Sequence, residues 1–98
     1  MSDDIIHKEA DSKGKFYMED EIGIISELRY SKKENGEVLI IKHTETRTEY
    51  KGKGLAAILV KKSIDYVREN NIKIIPDCPY AKAYFSRHKE YVDVLKIK

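Results

Sequence analysis

Apolar positions along the chain recur in different rhythms, and each rhythm marks one kind of element. Between Ile22 and Tyr30, the residues Ile22, Ile24, Leu28 and Tyr30 recur at a spacing of two against Glu27 and Arg29, which predicts a half-buried strand. Asn35-Gly36 is a dipeptide that tolerates positive φ at a hairpin turn, and the apolar run Val38-Leu39-Ile40-Ile41 follows it. Ile22 to Thr46 is therefore expected to form an antiparallel hairpin whose second strand continues to about Thr46. Ahead of it, Lys15-Phe16-Tyr17-Met18 reads as a short strand closed by the acidic turn Glu19-Asp20-Glu21. Met1 to Gly14 is polar apart from Ile5 and Ile6, and is expected to fray or to add a short edge strand.

Beyond Gly54 the rhythm changes. Leu55, Ala56, Leu59, Val60, Ser63, Ile64, Tyr66 and Val67 recur at helical spacing, with Lys61, Lys62, Asp65, Arg68 and Glu69 opposite, so a helix is predicted as far as Asn70-Asn71. Ile72 to Pro76 reads as a short buried strand. Pro79 stands where a first helical turn accepts proline, which predicts a second helix to about Arg87. Tyr91, Val92, Val94, Leu95 and Ile97 alternate loosely, so His88 to Lys98 is expected to close the domain as a last strand. Strands first, then helix, strand and helix, place the chain in the α+β (mixed α/β) class, with an antiparallel N-terminal meander and two main helices.

Composition narrows what such a fold can do. At 98 residues the chain is expected to be one domain spanning 1–98, with 1–12 and 96–98 as frayed ends. Hydrophobic residues at 41% and charged residues at 37% support a packed core under a heavily solvated surface. A net charge of +2 provides no broad basic field for nucleic acid, so any anion site has to be local. The longest apolar run, Leu55 to Val60, is far short of the roughly 20 residues that span a bilayer, and no membrane partner is expected. Met1-Ser2-Asp3-Asp4 lacks the basic and apolar segments of a secretory signal, and Cys78 has no second cysteine to pair with, so a cytoplasmic protein is expected. No metal ligand set is visible.

One local anion site is marked by Lys51-Gly52-Lys53-Gly54-Leu55. Glycines at 52 and 54 let a backbone approach a ligand closely, and the helix that follows turns free N–H groups and its positive dipole end toward that spot. A pyrophosphate fits there, with Lys51 and Lys53 adding charge-assisted contacts. A plain strand-to-helix turn would use the same glycines. Gly52-x-Gly54-x-x-Ala57 also satisfies the dinucleotide fingerprint, with Asp77 near the place of a ribose-binding acid. Against that stand the long polar approach from Thr44 to Lys51, the antiparallel strands before it, and too little chain after Asp77 to complete such a sheet.

The stretch Thr44-Glu45-Thr46-Arg47-Thr48-Glu49-Tyr50-Lys51-Gly52-Lys53-Gly54-Leu55-Ala56 resembles the central acetyl-CoA motif of the GNAT N-acetyltransferase superfamily. Gly52 and Gly54 map directly onto its glycines and Lys51 onto its basic position, while Glu49 stands where Gln or Arg is usual. Cys78 to His88, with Glu90-Tyr91, is similar to the short single-domain branch of that superfamily. The resemblance implies a mixed sheet splayed between two central strands. It implies acetyl-CoA as cosubstrate, its pyrophosphate on the helix opened by Gly54 and its thioester held by backbone N–H groups among His43, Thr44, Glu45 and Thr46. Leu55 and Ala56 complete the implied cofactor-binding set. Direct acetyl transfer to an amine, either a small amine or a protein lysine, follows from the resemblance. A CoA-binding module without turnover is the alternative, and a monomer or weak dimer is expected.

Several side chains could carry the chemistry. Glu45 and His43, two apart on one strand face, could accept the amine proton, or be a solvated edge residue and a strand-end packing residue. Cys78 could cap the last helix, whose N-terminus favours a thiolate, and accept the acetyl group itself, or be a buried packing residue. Superfamily members often protonate the departing thiolate with a tyrosine on the helix after this strand. Tyr84 is the candidate here, with Phe85 the other alignment and a core aromatic the other role.

Overall fold

The computed structural model describes residues 4–96. Five strands form one sheet in the order β1 (Ile6–Ala10), β2 (Lys13–Glu19), β3 (Ile24–Lys33), β4 (Val38–Thr46) and β5 (Lys73–Pro76). The first four are antiparallel neighbours, and β5 returns parallel to β4 after the crossover helix α1 (Leu55–Asn70). A second helix, α2 (Pro79–Arg87), follows β5. This is the meander and helix pair that the periodicities predict, with the mixed sheet that the resemblance implies.

Cross-strand pairs assign the two faces. His7, Phe16, Leu28 and Thr44 share one row, and Met18, Ser26 and Thr46 the next. This is the core face. Phe16, Leu28, Tyr30, Leu39, Ile41 and Ile74 are at most 2% exposed and pack against Leu59, Val60, Ile64 and Val67 of α1. Both helices lie on that side, so the layers are helices on a sheet whose other face carries no helix.

Two bulges move residues off simple alternation. β3 starts only at Ile24, because the Asp20 carboxylate accepts from the N–H groups of Ile22 (2.9 Å) and Gly23 (3.1 Å) and holds the turn. Register then slips opposite Met18/Glu19, so Ile25 is the extra residue. Ile22 and Ile24, expected on the buried face, are therefore 85% and 37% exposed, while Ile25 is buried. The second slip, between the pairs Arg29↔His43 and Tyr30↔Ile41, leaves Lys42 unmatched in β4.

Of the two outcomes expected for the N-terminal stretch, the short edge strand forms: Ile6–Ala10 pairs along its whole length with β2. What pins it is a polar cluster under α1. Tyr30 donates to Glu9 (2.6 Å), His7 Nε2 meets the same phenolic oxygen at 2.5 Å, and Lys32 donates to Tyr66 (2.6 Å) while lying 2.9 Å from Glu9. Burial, joined by the Glu9 hydrogen bond, pushes the Tyr30 hydroxyl far up, so it stays a donor. Among the described residues the expected closing strand does not form: residues Lys89–Val94 make a 3-10 turn, and only Leu95 bridges to Ile74. Tyr91 and Val94 face inward at a spacing of three, which the turn satisfies and a strand would not, leaving Val92 53% exposed. Residues 97 and 98, expected to fray, lie outside the described residues.

Candidate functional site

The unmatched Lys42 decides where the sheet opens. β5 pairs with β4 only over Val38 to Ile41, with one further bond from the Asp77 N–H to the Ile41 carbonyl (3.0 Å). Beyond Lys42, β4 runs on to Thr46 with no strand among the described residues paired on its β5 side. The Arg47 N–H donates to the Ile25 carbonyl (2.7 Å), so bonded pairs with β3 fall at Arg47 and, by the alternation of an antiparallel ladder, at Glu45. The N–H and C=O groups of Thr44 and Thr46 therefore point into the opening. Their side chains turn to the helix side, where the Ser26 and Thr46 hydroxyls meet at 2.8 Å.

The opening continues into the glycine loop as a single cleft of about 730 Å³, lined by Thr44 to Thr48, Tyr50, Lys51, Gly52, Gly54, Leu55, Ala56 and Tyr80. Gly52 and Gly54 have φ of 84° and 77°, and Gly54 is the N-cap of α1. No side chain caps that helix and no acidic residue stands in its first turn. The first intrahelical bond runs from Ile58 N–H to Gly54, so the amides of Leu55, Ala56 and Ala57 remain free donors at a positive dipole end. An anion is what such a terminus binds.

Arg47 does not supply a cation to the cleft. Its guanidinium grips Asp20 through two bonds of 2.9 and 3.0 Å, a third reaches the Ile24 carbonyl (3.1 Å), and its plane lies over the Tyr50 ring at 5.6 Å. The turn before β3 is thereby bolted to the cleft rim. Hydrogen bonds from Arg47, with help from the Gly23 and Ile22 N–H groups, hold the Asp20 carboxyl well below the usual carboxylate range. A carboxylate depressed in this way stabilises the fold above its ordinary pKa, near 4, and loses that contribution as pH falls toward the lower folded value. Thermal melts between pH 7 and pH 3 should show the wild type losing more stability than Asp20→Asn, and parallel losses would contradict the assignment.

A family model described as GCN5-related N-acetyl-transferase matches residues 15–94. The chain belongs to that family. The N-acetyltransferase fold recurs in solved structures. The NMR structure of a GCN5-like candidate N-acetyltransferase from Staphylococcus aureus is 30% identical, covers 97% of this chain and 91% of its own, and superposes with a TM-score of 0.72. A predicted acetyltransferase from Clostridium acetobutylicum, solved with acetyl-CoA, is 15% identical over 78% of this chain and 56% of that one, TM-score 0.60. An aminoglycoside N-acetyltransferase in complex with CoA is 15% identical over 84% and 68%, TM-score 0.58. No curated protein matches the chain by sequence.

For a GCN5-related N-acetyltransferase the expected residues fall into three groups. Thr44, Glu45, Thr46, Lys51, Gly52, Gly54, Leu55 and Ala56 all line the cleft, whereas Lys53 is exposed beside it. The side chains of His43 and Glu45, 3.5 Å apart, stand on the helix-free face, opposite Arg29 and Glu27. Cys78 and Tyr84 lie behind the lining. Cys78 is 5% exposed, caps α2 by accepting from the Ala81 N–H (3.3 Å) and touches the Thr44 hydroxyl at 3.9 Å. Tyr84 stacks on His88 (4.2 Å) and borders a separate depression with Ala57 and Lys61. Burial, with Tyr91 beside it, pushes its hydroxyl up. Tyr80, one turn earlier, is the α2 tyrosine in the cleft. Sequence reasoning missed it, along with Arg47, Tyr50 and Asp20. The i, i+4 repeat of Tyr80 and Tyr84 was a signal for Tyr80, but nothing local points to Asp20. Among the described residues, no group of three or more His, Cys, Asp or Glu could hold a metal ion.

Proposed function

We propose that the protein transfers the acetyl group of acetyl-CoA directly to a primary amine. The observation that carries this reading is the continuity of the cleft: free backbone groups of Thr44 and Thr46 lead straight into a left-handed glycine turn and an uncapped helix N-terminus. A ligand suited to it has an extended, amide-bearing arm and a pyrophosphate, which is the shape of CoA. The arm pairs as a strand would with Thr44 and Thr46, and the pyrophosphate sits on the amides of Gly52 to Ala57 beside Lys51. Backbone donors at the β4 end favour the oxyanion that forms as the amine attacks.

The amine arrives from the helix-free face, where Glu45 and His43 stand. Its nitrogen bonds to the thioester carbon, its surplus proton leaves to Glu45 directly or through water, the carbon–sulfur bond breaks, and the Tyr80 hydroxyl protonates the thiolate. Cys78 takes no part, because it is 5% exposed and stands behind the residues that line the cleft. Cys78→Ser, which keeps a capping acceptor, should retain turnover within a few-fold, and a collapse of turnover in a folded Cys78→Ser protein would restore the covalent route.

The test is acetyl-CoA added to isotopically labelled protein. Amides of Thr44, Thr46 and Lys51 to Ala56 should shift, and none moving at millimolar ligand would end the proposal. If they shift, acetyl-CoA consumption across a panel of amines separates an enzyme from a CoA-binding module.

A further inference from the structure

The helix-free face of the sheet is charged in halves. Lys8, Lys15 and Arg29 stand directly opposite one another across β1, β2 and β3. The next rows along the strands add Lys13, level with Ala10 and Ser31, and Lys33, level with Val38 and Lys73. No carboxylate occupies any of these rows. Glu27 and Glu45, paired with each other, and Glu19, paired with Ile24, all lie on the other side of the Lys8 row, at the end where β4 and β5 part.

Like charges directly opposite on a sheet destabilise it. Lys8, Lys13, Lys15 and Lys33 form no ion pair with any described residue, and only Arg29 has a carboxylate within reach, Glu27 at 3.3 Å. A shallow groove of about 790 Å³ at this corner is lined by Lys8, Lys13, Lys15 and Arg29 together with Glu9, whose carboxylate is already taken up by Tyr30 and Lys32. The repulsion brings the fold nothing internally, so it marks a surface whose counter-charge comes from outside.

We infer that the amine acceptor is a lysine in an extended, acidic polypeptide segment, which lies along this face with its amine at Glu45 and its carboxylates on the Lys8–Lys15–Arg29 corner. This rests on the proposal that the amine arrives on the helix-free face. Rows along a strand are about 7 Å apart, so the carboxylates belong roughly two to four residues from the lysine. A polyamine is disfavoured, since its far ammonium would meet the cationic half. Single-stranded nucleic acid is disfavoured because the aromatic of this face, Tyr17, is only 5% exposed and provides no stacking platform.

Two peptides of about eleven residues test the inference, each with one lysine, one flanked by Asp and Glu and one by Asn and Gln. Anisotropy without acetyl-CoA should show the acidic peptide binding at least ~10-fold more tightly, with the advantage fading as salt rises. Lys8→Glu/Lys15→Glu should erase that advantage while melting and acetyl-CoA affinity stay as in wild type. Lys13→Glu/Lys33→Glu provides the same test if the first variant does not fold. With acetyl-CoA present, the acidic peptide should show the lower KM at similar kcat. Equal binding of the two peptides, indifference to charge reversal, or tighter binding of duplex DNA, phosphatidylserine vesicles or spermidine would overturn the inference. Acidic-peptide binding without acetyl transfer would instead strike at the acyl-transfer proposal, and transfer to the neutral peptide untouched by charge reversal would spare that proposal and remove the docking face.

Discussion

Gly52→Val should lower acetyl-CoA affinity by more than ~100-fold, about 2.7 kcal/mol, while the domain stays folded. At φ 84° a β-branched residue is strained, at a cost of roughly 1–2 kcal/mol against a total stability of about 5–15 kcal/mol. Apart from its chain neighbours, no described heavy atom lies within 4 Å of the Cβ that Gly52 would acquire, so the new methyls meet open space at a residue that lines the cleft, where the pyrophosphate is proposed to lie. Gly36→Val is the matched control. Its φ of 85° and open surroundings impose the same strain in the β3–β4 turn, far from the cleft. Isothermal titration of both variants separates the effects: retained affinity in Gly52→Val would displace the pyrophosphate, and lost affinity in Gly36→Val would assign the effect to stability.

Gly14→Ala should cost about 3 kcal/mol and lower the melting temperature by roughly 15 °C. Here space is limiting, not backbone conformation. An added Cβ would lie 2.5 Å from the Cζ and hydroxyl of Tyr30 and 2.8 Å from the Lys8 carbonyl. Tyr30 is 2% exposed with its hydroxyl held between Glu9 and His7, so moving the ring also breaks the bonds that pin β1. Calorimetry measures the cost, and hydrogen exchange should show β1 losing protection first. Adding Tyr30→Ala should cost less in the Gly14→Ala background than in wild type, because the clash is already relieved. A loss under about 1 kcal/mol in Gly14→Ala would mean that β1 shifts freely.

His7, Glu9 and Tyr30 also show why the N-terminal strand was hard to read. β1 has no apolar alternation of its own: beyond its ladder with β2, the His7 ring stacks on Phe16 at 4.1 Å, and polar side-chain contacts from β3 and α1 hold Glu9. Periodicity sees only neighbours along one element, and these partners are 21 to 57 residues away. The 3-10 turn at Lys89–Val94 escaped for a related reason, since a few apolar residues at mixed spacing fit a strand or a turn until the Tyr84–His88–Tyr91 stack is formed.

The amino-acid sequence by itself determined the elements with strong local signals: α1 with its apolar stripe and Asn71 stop, the Asn35-Gly36 turn, α2 opened by Pro79, and the left-handed glycines at 52 and 54. Each depends on atoms a few residues apart. The tertiary structure alone decided that Lys42 bulges and parts β4 from β5, that Thr44 and Thr46 present their backbone to the cleft, and that Tyr80 lines it. It also brought Asp20 to Arg47 and set Lys8, Lys15 and Arg29 side by side on the open face. Those outcomes depend on register between distant strands, where one extra residue exchanges the two faces of everything that follows.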